Sequence, residues 1–185
     1  MPELRAPTVS VRASFLAAMA EFVAEGRGEP DDHSMVGKEI SWLHDNGWSD
    51  PGAFDLFVRR LRDQALPDAQ RPPDHVPATT LWWMDGSDYL GRIAIRHRLT
   101  PALREYYGHI GYDIRPTARR RGHATAMLAA ALPIAGRLGV APALITCQYD
   151  NLGSRVVIER NGGVLEDRRG DKLRFWVPTV NGAAG

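Results

Sequence analysis

A single cysteine, Cys147, leaves the chain without an intrachain disulfide framework, which suits a reducing compartment. Charge of either sign is also nearly absent in the balance. The 23 basic and 22 acidic residues leave a net +1, so there is no general pull toward nucleic acid or an anionic membrane. No apolar run is long enough to span a bilayer. Residues 1–5 lack the basic-then-apolar pattern of a secretion signal, and the expected location is the cytoplasm. Repeats and low-complexity segments are missing too. What remains is an ordinary globular composition, 44% hydrophobic and 24% charged, over a length that favours one domain with a sizeable core.

Along the chain, residues 3–6 read as a short strand. Residues 9–25 read as a helix with Phe15, Met19, Phe22 and Val23 on one face. The glycine- and acid-rich run 26–32 breaks it. Residues 35–48 are ambiguous, with a short helix carrying Ile40 and Leu43 as one reading. Asp50 and Pro51 look like an N-cap and a first-turn proline, and the helix after them presents Phe54, Phe57, Val58 and Leu61. Four prolines between 67 and 77 mark a surface loop.

The period then changes. Residues 79–84 and 89–97 are strand candidates around Asp85-Gly86-Ser87-Asp88, a hairpin signal. Thr100 and Pro101 look like the cap of one short helical turn. Residues 109–114 form a third strand and 118–138 a helix. Ala124, Met127, Leu128, Ala131, Leu132, Ala135 and Leu138 lie on its stripe, and Gly139 closes it. Pro133 should bend this helix or loosen one turn. A strand at 143–147, a helix at 151–160 and strands at 164–166 and 173–177 complete the order. The alternation implies a mixed α/β sheet.

The stretch from Tyr112 to Leu128 carries the chemistry. It runs from a strand through a basic turn into an amphipathic helix. The first-turn N–H groups of such a helix, with its dipole, favour an anion. Gly122 removes a side chain where backbone must approach a ligand, Ala124 keeps the next inward position small, and Thr125 offers a hydroxyl. Arg119, Arg120 and Arg121 surround the site with positive charge. Taken alone, this is a solvated basic helix start. A nucleic-acid reading is weaker, because no basic face accompanies it.

The second strand and helix add Asn151-Leu152-Gly153-Ser154 and Gly162-Gly163. With them the chain resembles the GCN5-related N-acetyltransferases, the GNAT family, which move an acetyl group from acetyl-CoA to an amine. Arg119, Gly122 and Ala124 match its Gln/Arg-x-x-Gly-x-Gly/Ala signature. Asn151, Ser154 and Gly162 match its later Asn-x-x-Ala/Ser motif. The resemblance runs from about residue 79 to 177. His109-Ile110-Gly111-Tyr112, Arg115-Pro116 and residues 147–151 look like a bacterial subgroup of largely unassigned substrate. The fold implied is a GNAT-like α/β (α+β) domain: a mixed, mostly antiparallel sheet with splayed central parallel strands and flanking helices. One domain would span 1–185, with 1–77 forming the acceptor region and 78–178 the acetyl-CoA-binding core.

The resemblance implies that acetyl-CoA is the co-substrate, with no metal. Its pyrophosphate would rest on backbone N–H groups of residues 119–125, which include Arg120, Arg121 and His123. Its pantetheine arm would pair along the strand ending at Ile114, in a slot between residues 109–114 and 143–147. Asn151 would hydrogen-bond the arm, or act as a helix N-cap. Ser154 would either meet the ligand or simply occupy the first helical turn.

The reaction needs a base for a protonated amine and a donor for the leaving thiolate. Many relatives place a glutamate where this chain has His109, so His109 is a candidate base. A structural histidine is an equal alternative, and His97 is a second candidate. The family's tyrosine acid is absent, since Ile158 stands in its place. Ser154, Tyr149 or water must then serve. Cys147 is expected to be a small apolar strand residue rather than an acyl-accepting nucleophile. Acceptor residues would come from Glu29, Asp31, Asp32, Trp42, Trp48, Trp82 and Trp83, acidic and aromatic groups that suit a cationic amine. Each of these also has a bland reading, as solvated loop or core.

The leading expectation is transfer to a primary amine of a small molecule, an antibiotic or metabolite, with neither nucleic acid nor membrane as partner. A protein N-terminal or lysine acetyltransferase and a non-catalytic acyl-CoA-binding module are the alternatives. Whether the chain forms a homodimer stays open.

Overall fold

A computed structural model describes residues 1–32, 34–47, 50–72 and 75–179. Seven strands form one sheet in the order β1 (Glu3–Arg5), β2 (Ala78–Asp85), β3 (Asp88–Arg96), β4 (Ile110–Ile114), β5 (Ala143–Gln148), β7 (Lys172–Val177), β6 (Val164–Arg169). All neighbours are antiparallel except β4 and β5. Two parallel strands need a crossover, and α4 (His123–Arg137) supplies it.

The alternation of each strand divides the core in two. Trp83, Ile93, Ile95, Ile110 and Ile145 face α4 and α5 (Leu152–Arg160), where they meet Met127, Leu128 and Ile158. Trp82, Met84 and Tyr89 face the other way, onto Phe15 of α1 (Arg12–Ala24), Ile40 of α2 (Met35–Asp45) and Phe54 of α3 (Pro51–Asp63). Phe15 stacks on Trp82 with ring centroids 4.9 Å apart and meets Tyr89 edge-on.

Local chemistry sets the helix starts. The Ser34 hydroxyl accepts from the Gly37 N–H, which resolves the ambiguous segment in favour of α2. Asp50 caps α3 through the Gly52 N–H, with Pro51 in the first turn. Helix α4 is shorter than expected because Arg120 and Gly122 turn left-handed before it, with φ of 64° and 81°. It continues through the exposed Pro133, and Gly139, at φ 81°, follows its end as a C-terminal glycine should. Strand β6 runs to Arg169, three residues beyond the expected end. Among the described residues, no helix is long and apolar enough to cross a membrane.

Candidate active site

Strand β4 pairs with β3 over its whole length but with β5 only at Ile110, opposite Ile145. Beyond that point the parallel strands part. The β3 ladder shows what this exposes. Arg96 donates its N–H to His109, and Arg115 donates to Leu90. In an antiparallel ladder hydrogen-bonded pairs alternate with non-bonded ones. Residues 111, 113 and 115 therefore turn their backbone to β3, as does the His109 carbonyl, while the His109 N–H goes to Leu144 of β5 and Tyr112 and Ile114 turn theirs to the open side. That edge is a template for an added strand.

A cleft of about 940 Å³ lies on it, lined by Tyr112, Asp113, Ile114, the turn 118–125 and the start of α5. Adjacent strand residues point to opposite faces, so Tyr112 and Asp113 reach this one cleft from opposite sides of the sheet. On the α5 side, the Tyr112 hydroxyl is 2.7 Å from the Ser154 hydroxyl. Burial pushes the phenol well above its usual range, so Tyr112 keeps its proton. Asn151 caps α5, its side-chain oxygen accepting from the Ser154 N–H at 2.9 Å.

On the opposite face, Asp113 stands across the ladder from Arg92. Burial raises its carboxyl, against the pull of Arg92, Arg27 and Arg119. Arg27 lies 3.9 Å from Asp113 and is itself bonded to Asp32 at 2.9 Å and to Ser34. Asp32, which also accepts from the Gly28 and Ser34 N–H groups, is thereby held well below the usual range. Together these contacts fasten Arg27, Gly28, Asp32 and Ser34 to one another beside Asp113.

At the basic turn, the left-handed Arg120 and Gly122 set successive N–H groups into a concave, anion-accepting arc at the N-terminus of α4. A Cβ on Gly122 would meet nothing within 4 Å, so its φ of 81° is what favours glycine. The three arginines differ. Arg119 is spent on the protein, donating to the Ile114 carbonyl at 3.0 Å and to Glu25 at 2.8 Å. Arg120 lines the cleft, whereas Arg121 lies outside its lining. His123, Ala124 and Thr125 line it, and His123 accepts from the Trp83 indole N–H at 3.3 Å.

His109 does not reach the cleft lining. Its Nδ1 accepts the Leu144 N–H at 2.9 Å, and its ring lies near Trp176. Burial, then Arg96 and Arg104, push it down to about 4. The structure gives it the structural task of joining β4 to β5 where they still touch. His97 bonds Thr79 at 2.8 Å, outside the lining as well. Ile158 is fully buried in the α4–α5 core, so the position of the missing tyrosine faces away from the cleft. Tyr149 carries Arg168 4.3 Å over its ring and lies outside the lining. Cys147 packs in the core with its thiol raised by burial. Trp82 and Trp83 are core, Trp42 packs against Phe57, and Glu29 and Asp31 are exposed loop residues. Trp48 lies outside the described residues. Tyr112 and Asp113 enter as chemistry only through the fold; their signal in the sequence is a polar pair inside an otherwise apolar strand.

The same architecture recurs in solved structures at low identity. RimL, a ribosomal L7/L12 alpha-N-protein acetyltransferase in complex with coenzyme A, is 16% identical with a TM-score of 0.60, over 95% of this chain and 92% of that one. Mycobacterium smegmatis RimJ in complex with CoA-disulfide is 17% identical with a TM-score of 0.63, over 95% and 80%. The microcin C7 self-immunity acetyltransferase MccE, in complex with acetyl-CoA and AMP, is 14% identical with a TM-score of 0.58, over 96% and 92%. No curated protein matches the chain in sequence. A family model, however, described as an acetyltransferase (GNAT) domain, matches residues 33–164, from α2 to the start of β6. That span takes in the open edge of β4, the basic turn and the Ser154 helix, and on it the chain belongs to the GNAT acetyltransferase family.

Proposed function

We propose that the chain transfers the acetyl group of acetyl-CoA to the primary amine of a small molecule, by direct transfer in a ternary complex. One observation carries the reading: a single cleft receives a hydroxyl pair from one face of β4 and a carboxylate from the other. A thioester lying in the slot is then reached from both sides.

The residues divide the work as follows. The N–H groups of residues 119–125 hold the pyrophosphate of acetyl-CoA. The backbone of Tyr112 and Ile114 pairs with the pantetheine arm, and the Asn151 amide nitrogen adds a contact. Asp113 takes a proton from the acceptor ammonium, and the freed lone pair forms the N–C bond. The C–S bond breaks, and the CoA sulfur takes its proton from the Ser154 hydroxyl, which takes in its place the second proton of the attacking nitrogen. Tyr112, protonated, donates to Ser154 and steadies its oxygen through that exchange.

The choice of a small acceptor rests on the crowding beside Asp113. Arg27 lines the cleft 3.9 Å from Asp113 and is held there by Asp32 and Ser34. Met35 lies so close to Gly111 that a Cβ on the glycine would fall 2.6 Å from its methyl carbon. A protein terminus needs a more open approach. Protein N-terminal acetylation is a second reading, favoured by the fold shared with RimL and RimJ.

The test is release of CoA thiol from acetyl-CoA with a panel of small amines and N-terminal peptides. Turnover with small amines supports the proposal, and turnover with peptides alone favours the second reading. Tight acetyl-CoA binding with no turnover on any amine would leave a non-catalytic acyl-CoA-binding module.

A further inference from the structure

Behind Asp113 lies a charged cluster that the transfer reaction, as written above, does not use. Glu39 of α2 is buried at 6% exposure and Arg92 of β3 at 4%, with Nη1 of the arginine 2.5 Å from the glutamate Oε1. The approach is close but poorly directed: neither Glu39 oxygen gains a well-aligned hydrogen bond, and Arg92 Nε and the Tyr89 hydroxyl beside them also lack one. On its strand side, the same Arg92 stands opposite Asp113. One buried guanidinium therefore stands beside two carboxylates, in contact with Glu39 and across the ladder from Asp113.

The remaining charges do not relieve this shortage. Around Asp113 are Arg92 from β3, Glu39 from α2, Arg27 and Asp32 from the 26–34 segment, and Arg119 from the basic turn. Arg27 is matched by Asp32 and Arg119 by Glu25. Beyond the 3.9 Å approach of Arg27 to Asp113, both Asp113 and Glu39 draw on Arg92, with Tyr89 able to offer only a neutral hydroxyl. Two like charges around one buried countercharge hold a proton between them and titrate as a pair.

We propose that Glu39 is a positioning residue for acetyl transfer: it competes with Asp113 for Arg92 and so keeps Asp113 basic enough to take the proton of the acceptor amine. This rests on the acetyl-transfer reading above. Burial raises Glu39 to about 7, against the pull of Arg92. A proton arriving at Asp113 then neutralises an excess negative charge instead of creating a buried positive one.

The test combines carboxyl-selective carbon NMR with kinetics. In the wild-type chain the Asp113 and Glu39 carboxyl resonances should each show two inflections with pH, the mark of a shared proton. Independent single inflections would overturn the proposal, whatever the acceptor, so this arm stands even if no amine is acetylated. In Glu39→Gln, Asp113 should titrate in one step, lower by roughly one pH unit. The acid limb of kcat/KM, for water or amine as acceptor, should move with it while the Kd for CoA stays within about twofold. An unmoved limb in a variant that binds CoA normally would make Glu39 merely structural. Glu39→Asp keeps the charge and should restore the wild-type limb.

Discussion

At the scale of single residues, the account depends on which face of β4 each side chain takes. Tyr112 is one residue from Asp113, yet the two reach the cleft from opposite faces of the sheet. Tyr112→Phe removes the donor to Ser154 while keeping the ring. We expect kcat to fall about tenfold, the scale of one hydrogen bond, with the KM for acetyl-CoA unchanged; steady-state kinetics check this. Gly122→Val forces a branched side chain into a left-handed backbone. Calorimetry should find CoA affinity reduced by about tenfold or more, with circular dichroism unchanged. His109 has a different signature. Its folded form stays neutral down to about pH 4, whereas the unfolded chain protonates it near 6.5. Protons therefore favour the unfolded state, and stability is full above pH 6.5 and falls as the pH drops toward 4. His109→Asn offers a non-titrating acceptor to the Leu144 N–H. It should flatten that part of the denaturation-versus-pH curve and leave the pH dependence of kcat/KM where it was.

At the scale of elements, α1 holds the basic turn before α4 from behind. Glu21 accepts from Arg115 at 2.7 Å and from the Thr117 N–H at 3.1 Å, and Glu25 takes Arg119. Helix α1, from the N-terminal part of the chain, thus fixes the start of the proposed donor site. Glu21→Ala should destabilise the fold by about 1–3 kcal/mol through the partners it leaves partly buried. It should also speed amide exchange at Thr117, and slowed or unchanged exchange there would argue against this support. The element order, the caps of α3 and α5 and the basic turn were all legible in the sequence, because each depends on a few contiguous residues. The end of β6 and the delayed start of α4 were not. A paired partner carries β6 onward along β7, and the left-handed Arg120 has no residue signal comparable to glycine.

At the scale of the whole molecule, the proposed donor site is built from local motifs and the proposed acid–base groups are not. The basic turn and Asn151 are local signals. The Tyr112–Ser154 contact joins residues 42 apart in the chain, and the Arg92–Glu39 pair joins β3 to α2. His109 looked like a base because of its place on the strand. The partners of β5 and β7 decide that its nitrogen is spent on Leu144. The central claim concerns the open edge of β4: the slot where β4 leaves β5 takes acetyl-CoA as an added strand. Amide hydrogen exchange of β4 with and without acetyl-CoA tests this most directly. The account predicts that Tyr112 and Ile114, whose backbone faces the slot, become protected on binding, while Gly111 and Asp113, already bonded to β3, change little. Binding of acetyl-CoA with no added protection at Tyr112 and Ile114 would contradict it.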